Sequence, residues 1–343
     1  MSNPAYKPDE DAATIFQEDT WLQGALVMCI AYGSVATLAI QCFFMLVRGL
    51  TRAKFKRDFP LVLFVMIMFS LSTIFIGTAM QFTQQAYVDQ RNFPGGPSAY
   101  EVLEFSLPID SVANVTLVMS CFFADALLLW RCTVIYRNSA VPSWVSVTLA
   151  SLFWLTEFIL GTLFLKQIMS VSPWGAVNFT LGFWCFSLAL NVLATFLIVS
   201  RLLLYRFRLA RVLGSGHGAQ YTSVVAMVVE SELLYTAFLI LFIVPFVLNH
   251  PLENVFIQCI ALIQAISALM IVYRVAAGHG WTKDTYAQVS TRMHSTIQLS
   301  NLSTLRAAPS ASHVTQESKI SSSGITVSQD VYMTKEYSSV EVV

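Results

Sequence analysis

Apolar residues run through this chain in seven long blocks between positions 22 and 276, broken by short polar interruptions. The blocks are Leu22–Val47, Pro60–Phe82, Ser111–Tyr136, Pro142–Leu165, Val177–Leu203, Tyr221–Leu248 and Val255–Tyr273. A helix rises about 1.5 Å per residue, so about 20 residues cross a hydrocarbon layer about 30 Å thick. The pattern predicts an all-α membrane protein, a seven-transmembrane helix bundle over 21–276, with the lipid bilayer as its first partner. Residues 1–20 are polar and acidic, and they lack the basic and apolar regions of a cleavable signal peptide. They read as an extracellular N-terminal segment.

Charge orients the bundle. Only Lys7, Arg91 and Lys166 fall on one side of the predicted spans. Every other Lys and Arg falls on the opposite side, including Arg131, Arg137, Arg206, Arg208 and Arg211 at the ends of spans three and five. Basic residues are retained on the cytoplasmic face. The expectation is therefore an outside N-terminus and an inside C-terminus, which an odd number of spans also requires. Only 12% of the residues are charged, about half the share in soluble domains, and mean hydropathy is +0.64. The plasma membrane is the expected location, with an internal membrane as the alternative.

The connections differ in character. Thr83–Asp110, on the predicted outside, is the longest, and Pro94-Gly95-Gly96-Pro97 predicts a tight turn within it. From Thr282 onward apolar blocks vanish, and Ser and Thr make up about a third of the residues. Tyr286, Val289, Met293 and Ile297 recur at helical spacing, so 277–298 reads as an amphipathic juxtamembrane helix and 299–343 as a disordered Ser/Thr-rich cytoplasmic tail. All six cysteines lie inside or at the edges of spans, where a free thiol serves as a small packing residue.

Polar groups within hydrocarbon each require a reason. Counted from the ends of their spans, Asp125, Asn191, Glu230 and Gln264 fall in a slab about 5 Å thick near the bilayer centre. Glu157 and Glu232 are further intramembrane acids. Glu230 and Glu232 point about 200° apart on a helix. Matching depth favours Glu230 as the inward-facing one. No Lys, Arg or His shares that depth. Three readings stay open: interhelical hydrogen bonding by neutral carboxyls, a switch core coupling an outer pocket to inner loops, and a cation or proton path. Arg131 is expected to snorkel toward the headgroups, with pairing to a neighbouring carboxylate as the alternative. Pro245 is expected to kink span six near its outer end.

Several chemistries are missing. Span seven carries no Lys for a retinal Schiff base, and no span contains a His for an intramembrane zinc site. Phosphate-binding, dinucleotide-binding and nucleophile-elbow motifs do not occur. The reading is non-enzymatic, without metal or cofactor, and nothing points to nucleic acid.

Three stretches carry a family resemblance. They are Asp125-Ala-Leu-Leu-Leu-Trp-Arg-Cys-Thr-Val-Ile-Tyr-Arg-Asn138, Tyr221-Thr-Ser-Val-Val-Ala-Met-Val-Val-Glu-Ser-Glu232 and Arg274-Val-Ala-Ala-Gly-His-Gly-Trp281. Together they resemble signatures of a fungal, chiefly basidiomycete, family of seven-span membrane proteins, many of which carry Arg near the position of His279. The resemblance covers most of 20–285 and implies topology and a fungal source, but no particular activity. The topology also resembles that of G-protein-coupled receptors. The expected tripeptide around Arg131 and the Asn-Pro-x-x-Tyr pattern in span seven are both missing, however. The leading expectation is a receptor-like sensor with a small extracellular ligand and a cytoplasmic signalling partner. The alternatives are a proton- or cation-coupled transporter using Asp125 and Glu230, or a structural membrane protein.

Overall fold

The computed structural model describes residues 10–50, 55–103, 107–136, 143–170, 179–213 and 219–279. These residues form eight α-helices and no strand. The helices are α1 (Ala12–Gly49), α2 (Phe55–Gln84), α3 (Gly96–Leu103), α4 (Pro108–Tyr136), α5 (Ser143–Ser170), α6 (Phe179–Leu213), α7 (Ala219–Val247) and α8 (Glu253–Arg274). All except the short α3 are long and apolar enough to cross a membrane. Backbone groups in hydrocarbon have no water to bond, and a helix satisfies them within the segment.

Neighbouring helices pack in the ring order α1, α2, α4, α5, α6, α7, α8 and back to α1. α4 also touches α6 and α8, and α8 also touches α2. α8 and α4 are the most buried of the spans. The others turn large apolar side chains outward: Ile30 is 73% exposed and Phe196 66%. Such a surface is unfavourable in water and is what a lipid-facing wall requires.

Lipid tails are as apolar as leucine, so close backbone approach replaces hydrophobic driving force between spans. The buried stripe of α1 is accordingly rich in small residues, including Gly24, Ala25, Ala31 and Ala39. At Gly24 an added Cβ would lie 2.8 Å from the Asn254 carbonyl oxygen and 3.0 Å from the Val255 Cα of α8. α1 starts earlier than its apolar block suggests. Asp11 caps it by accepting from the Ala12 N–H at 2.8 Å, so part of the expected N-terminal segment is helical.

The long connection between α2 and α4 is ordered rather than a plain linker. α2 runs on into a π-helical turn at Gln85–Asp89. Gly95 and Gly96 then take φ of +93° and +79°, conformations that favour glycine, and form the predicted turn into α3. Tyr100 of α3 packs against Phe82 and Phe93. Ser98 N–H donates to Glu18 Oε1 at 3.3 Å, and the Tyr87 hydroxyl donates to the Glu18 carbonyl at 3.1 Å, tying α3 and the π-turn to α1. The bundle thus has an α3 end and an opposite, arginine-bearing end.

Pro245 lies inside α7, where it withholds an N–H from the Leu241 carbonyl, and the helix stops at Val247. Asn249 follows with φ of +50°, a left-handed conformation that asparagine tolerates.

Candidate functional site

At the α3 end the helices enclose a cavity of about 130 Å³. Trp21 of α1, Phe82 of α2, Glu101 of α3 and Asp110 of α4 form part of its wall. Phe164 of α5, Trp184 of α6, Phe242 of α7 and Glu253 of α8 complete the circuit, so every helix contributes. The wall is rigidly held. Trp21 Nε1 donates to Thr83 Oγ1 at 3.3 Å, and Gln258 Nε2 donates to the carbonyls of Trp21 and Asn254 at 3.0 and 3.1 Å. Asn114 Nδ2 donates to Asp110 Oδ2 at 2.6 Å.

Glu101 is only 1% exposed, and no donor stands in hydrogen-bond geometry to either carboxyl oxygen, although the Tyr87 hydroxyl adjoins it. The neighbouring Tyr87 hydroxyl directs its proton to the Glu18 carbonyl. Burial pushes the Glu101 carboxyl up from 4.5 to about 9; the Glu18 charge adds to the rise and Tyr87 opposes it. The folded protein therefore holds a proton here that the unfolded chain gives up near 4.5. Its stability contribution is present in acid and is lost as pH rises toward about 9. Thermal unfolding of the empty protein should show a midpoint that falls across this range, and Glu101→Gln should flatten the fall. An equal slope in both proteins would contradict the assignment.

Below the cavity a column of polar and aromatic groups continues through the bundle. Trp184 forms its top, edge-on to Phe242 with ring centroids 5.6 Å apart, and its Nε1 is buried without an acceptor. Trp184, Ser187 and Asn191 recur at three- and four-residue steps, which places them on one face of α6. Glu232, Tyr235, Leu239 and Phe242 do the same on α7. Ser187 and Tyr235 share a hydrogen bond of 2.9 Å. One layer further, Asn191 Nδ2 donates to Glu232 Oε2 at 2.9 Å and Asn191 Oδ1 accepts from the Thr236 hydroxyl at 3.3 Å. Gln264 Nε2 donates to Asp125 Oδ2 at 3.1 Å. Glu157 enters beside Asp125 and Ser187, with no donor in hydrogen-bond geometry to either carboxyl oxygen. A void of about 10 Å³ among Asp125, Asn191, Glu232 and Gln264 has room for about one water.

The structure thus brings together Asp125, Asn191 and Gln264, as their depth predicts, and adds Glu157. It corrects the choice between the two acids of α7. Glu232 faces inward and is 5% exposed. The Glu230 side chain is 64% exposed and meets Arg274 at 2.7 Å on the surface. Both acids lie at nearly one depth, so rotation about the helix axis decides between them. A site built from Asp125 and Glu230 is therefore not formed.

Arg131 is also corrected. It does not run along α4 toward the headgroups but turns into the bundle, donating to the Ile271 carbonyl at 3.0 Å. That carbonyl lies in the last α-helical turn of α8, which runs on into a π-helical turn at Val275–His279. Glu232 is close enough to add its charge. Arg201, one of the basic residues at the end of span five, is buried over the Tyr136 ring at 5.8 Å. Arg206 is half-buried, and Arg208 and Arg211 lie in the final turns of α6. Arg137, nearly all of the expected amphipathic helix at 277–298, and the tail at 299–343 lie outside the described residues.

The cavity acids Glu101, Asp110 and Glu253 are the residues that sequence reasoning missed. Each lies at the margin of an apolar block or in the long connection, where acids are ordinary. The available signal was that all three belong to connections on one side of the membrane.

Fold and site together define a multi-pass α-helical membrane protein with a cavity at one end and a buried polar column beneath it. Comparison of the chain with models of known protein families finds no match, and comparison with curated proteins finds none either.

Proposed function

We propose that this protein is a receptor-like membrane sensor. The α3 end faces outside and binds a small ligand in the cavity. The arginine end and the tail face the cytoplasm beneath the plasma membrane and engage a signalling partner there. The sorting of Lys and Arg supports this orientation. The observation that carries the reading is that one cavity is lined by all eight helices. A ligand can shift a conformational equilibrium only through contacts that differ between the two states. An occupant of this cavity would touch every element that could move. The column from Trp184 through Tyr235 and Glu232 to Arg131 offers a continuous packed route to the far end.

A proximity-labelling enzyme fused after residue 343 tests the proposal. Ala113 lines the cavity, so Ala113→Phe should fill it and act as a tethered ligand. The labelled cytoplasmic proteins should differ between wild type and this variant. Identical sets would remove the sensor reading in favour of a structural one.

A proton-coupled transporter is the second reading, and the buried carboxyls of Asp125, Glu157 and Glu232 support it. The void beside Asp125 and Glu232 favours the sensor, because it has room for only about one water. Proteoliposomes distinguish the two readings: Asp125→Asn and Glu232→Gln should abolish pH-driven flux only if the protein transports.

A further inference from the structure

We infer that the cavity at the α3 end takes a small organic cation: an ammonium group carried on a compact apolar body with one oxygen acceptor. This deepens the sensor reading and rests on it.

Three carboxylate residues, Glu101, Asp110 and Glu253, line a space whose wall, among the described residues, includes no Lys, Arg or His. An acidic wall alone would not define a site. The second observation is Glu101 itself, fully packed around yet with no donor in hydrogen-bond geometry to either oxygen, the adjoining Tyr87 hydroxyl being directed at the Glu18 carbonyl. Glu253 Oε2 is likewise buried without a partner. A buried acceptor left unbonded is costly, and its persistence at a cavity wall points to a donor that arrives with a ligand.

The remaining wall decides what kind of cation. Among the described residues no three His, Cys, Asp or Glu side chains come together as a metal-holding group. The acids are therefore spread around the space rather than converging on a point, which does not suit a small metal ion with short, directional bonds. Aromatic rings fill the intervals: Trp21, Phe75, Phe82, Trp184 and Phe242. Their negative ring faces attract a diffuse charge such as an alkylammonium. At the floor, the unpartnered Trp184 N–H supplies a donor for an oxygen on the ligand. A volume of about 130 Å³ limits the occupant to a small molecule.

Choline and 3,3-dimethyl-1-butanol form a suitable probe pair, because they have the same shape and differ by one positive charge. The full chain, purified in dodecyl maltoside, is titrated with each while tryptophan fluorescence and thermal unfolding are followed. Choline should give a saturable signal and bind at least about tenfold more tightly than the alcohol, as a cation–π contact reinforced by a carboxylate implies. Its charge is permanent, so its affinity should rise as pH rises toward about 9 and Glu101 loses its proton. Glu18 and Tyr87, which adjoin Glu101, are unchanged in the comparison with Glu101→Gln. That variant should lose at least about tenfold in choline affinity, together with the part of the pH dependence that Glu101 contributes, while Asp110 and Glu253, which line the same cavity, keep theirs. Should it fail to fold, Glu253→Gln and the wild-type choline-to-alcohol ratio decide.

Equal affinity for the two probes, no saturable choline signal, or unchanged affinity in both carboxyl variants would each overturn the inference. Equal affinity would leave the cavity as a neutral-ligand site and the sensor reading intact. Selective choline binding that leaves the labelled cytoplasmic proteins unchanged would support the cation site and remove the sensor.

Discussion

Gly24→Ala should destabilise the bundle by about 2 kcal/mol or more, whereas the same change at Gly33 should be neutral or slightly stabilising. Both residues lie in α1. A Cβ at Gly24 would meet the Asn254 carbonyl and the Val255 Cα, backbone atoms that move only with α8 itself. At Gly33 nothing lies within 4 Å, so the new methyl enters lipid and improves helix propensity. Thermal unfolding in detergent should lower the Gly24→Ala midpoint by several degrees, on the order of 2–4 °C per kcal/mol for a chain of this size. Equal midpoints for the two variants would show that α1 does not press against α8 as described.

The second large effect concerns the buried Asn191–Glu232 pair. Asn191→Leu removes the donor to Glu232 Oε2 and the acceptor of Thr236. Leaving a buried carboxyl without that bond should cost about 1–3 kcal/mol. The double variant Asn191→Leu with Glu232→Leu should recover much of the loss, because an apolar pair of similar shape leaves little unpaired. A double-mutant cycle measures the coupling. Additive losses would mean that the two side chains act separately, and the column would then be interrupted at that layer.

The spans were legible because bilayer thickness imposes a length that any helix must meet, and all seven blocks appear as helices. The depth of polar residues was legible for the same reason: a linear count converts to height, which placed Asp125, Asn191 and Gln264 together. Rotation was not legible. In water, the contrast between an apolar inner face and a polar outer face reveals which side of a helix points inward. In lipid both faces are apolar, so α7 carried little to separate Glu230 from Glu232. Following the aromatic steps from Glu232 to Tyr235 and Phe242 would have identified the inner face. The cavity acids escaped notice for another reason. Glu101 and Asp110 come from the connection between α2 and α4 and Glu253 from that between α7 and α8, and only packing brings them around one space.

The last span to be synthesised is also the one most enclosed by the others. α1 lies mainly against α8, with Gly24, Ala25, Ala31 and Ala39 on its buried stripe. The first helix must therefore wait in the bilayer, its small-residue seam occupied by lipid or by a chaperone, until the ribosome has released residue 274 and beyond. A message cut short before Glu253 would yield six inserted helices with no span to close the ring between α7 and α1, and quality control of the nascent chain is where such products would first be noticed.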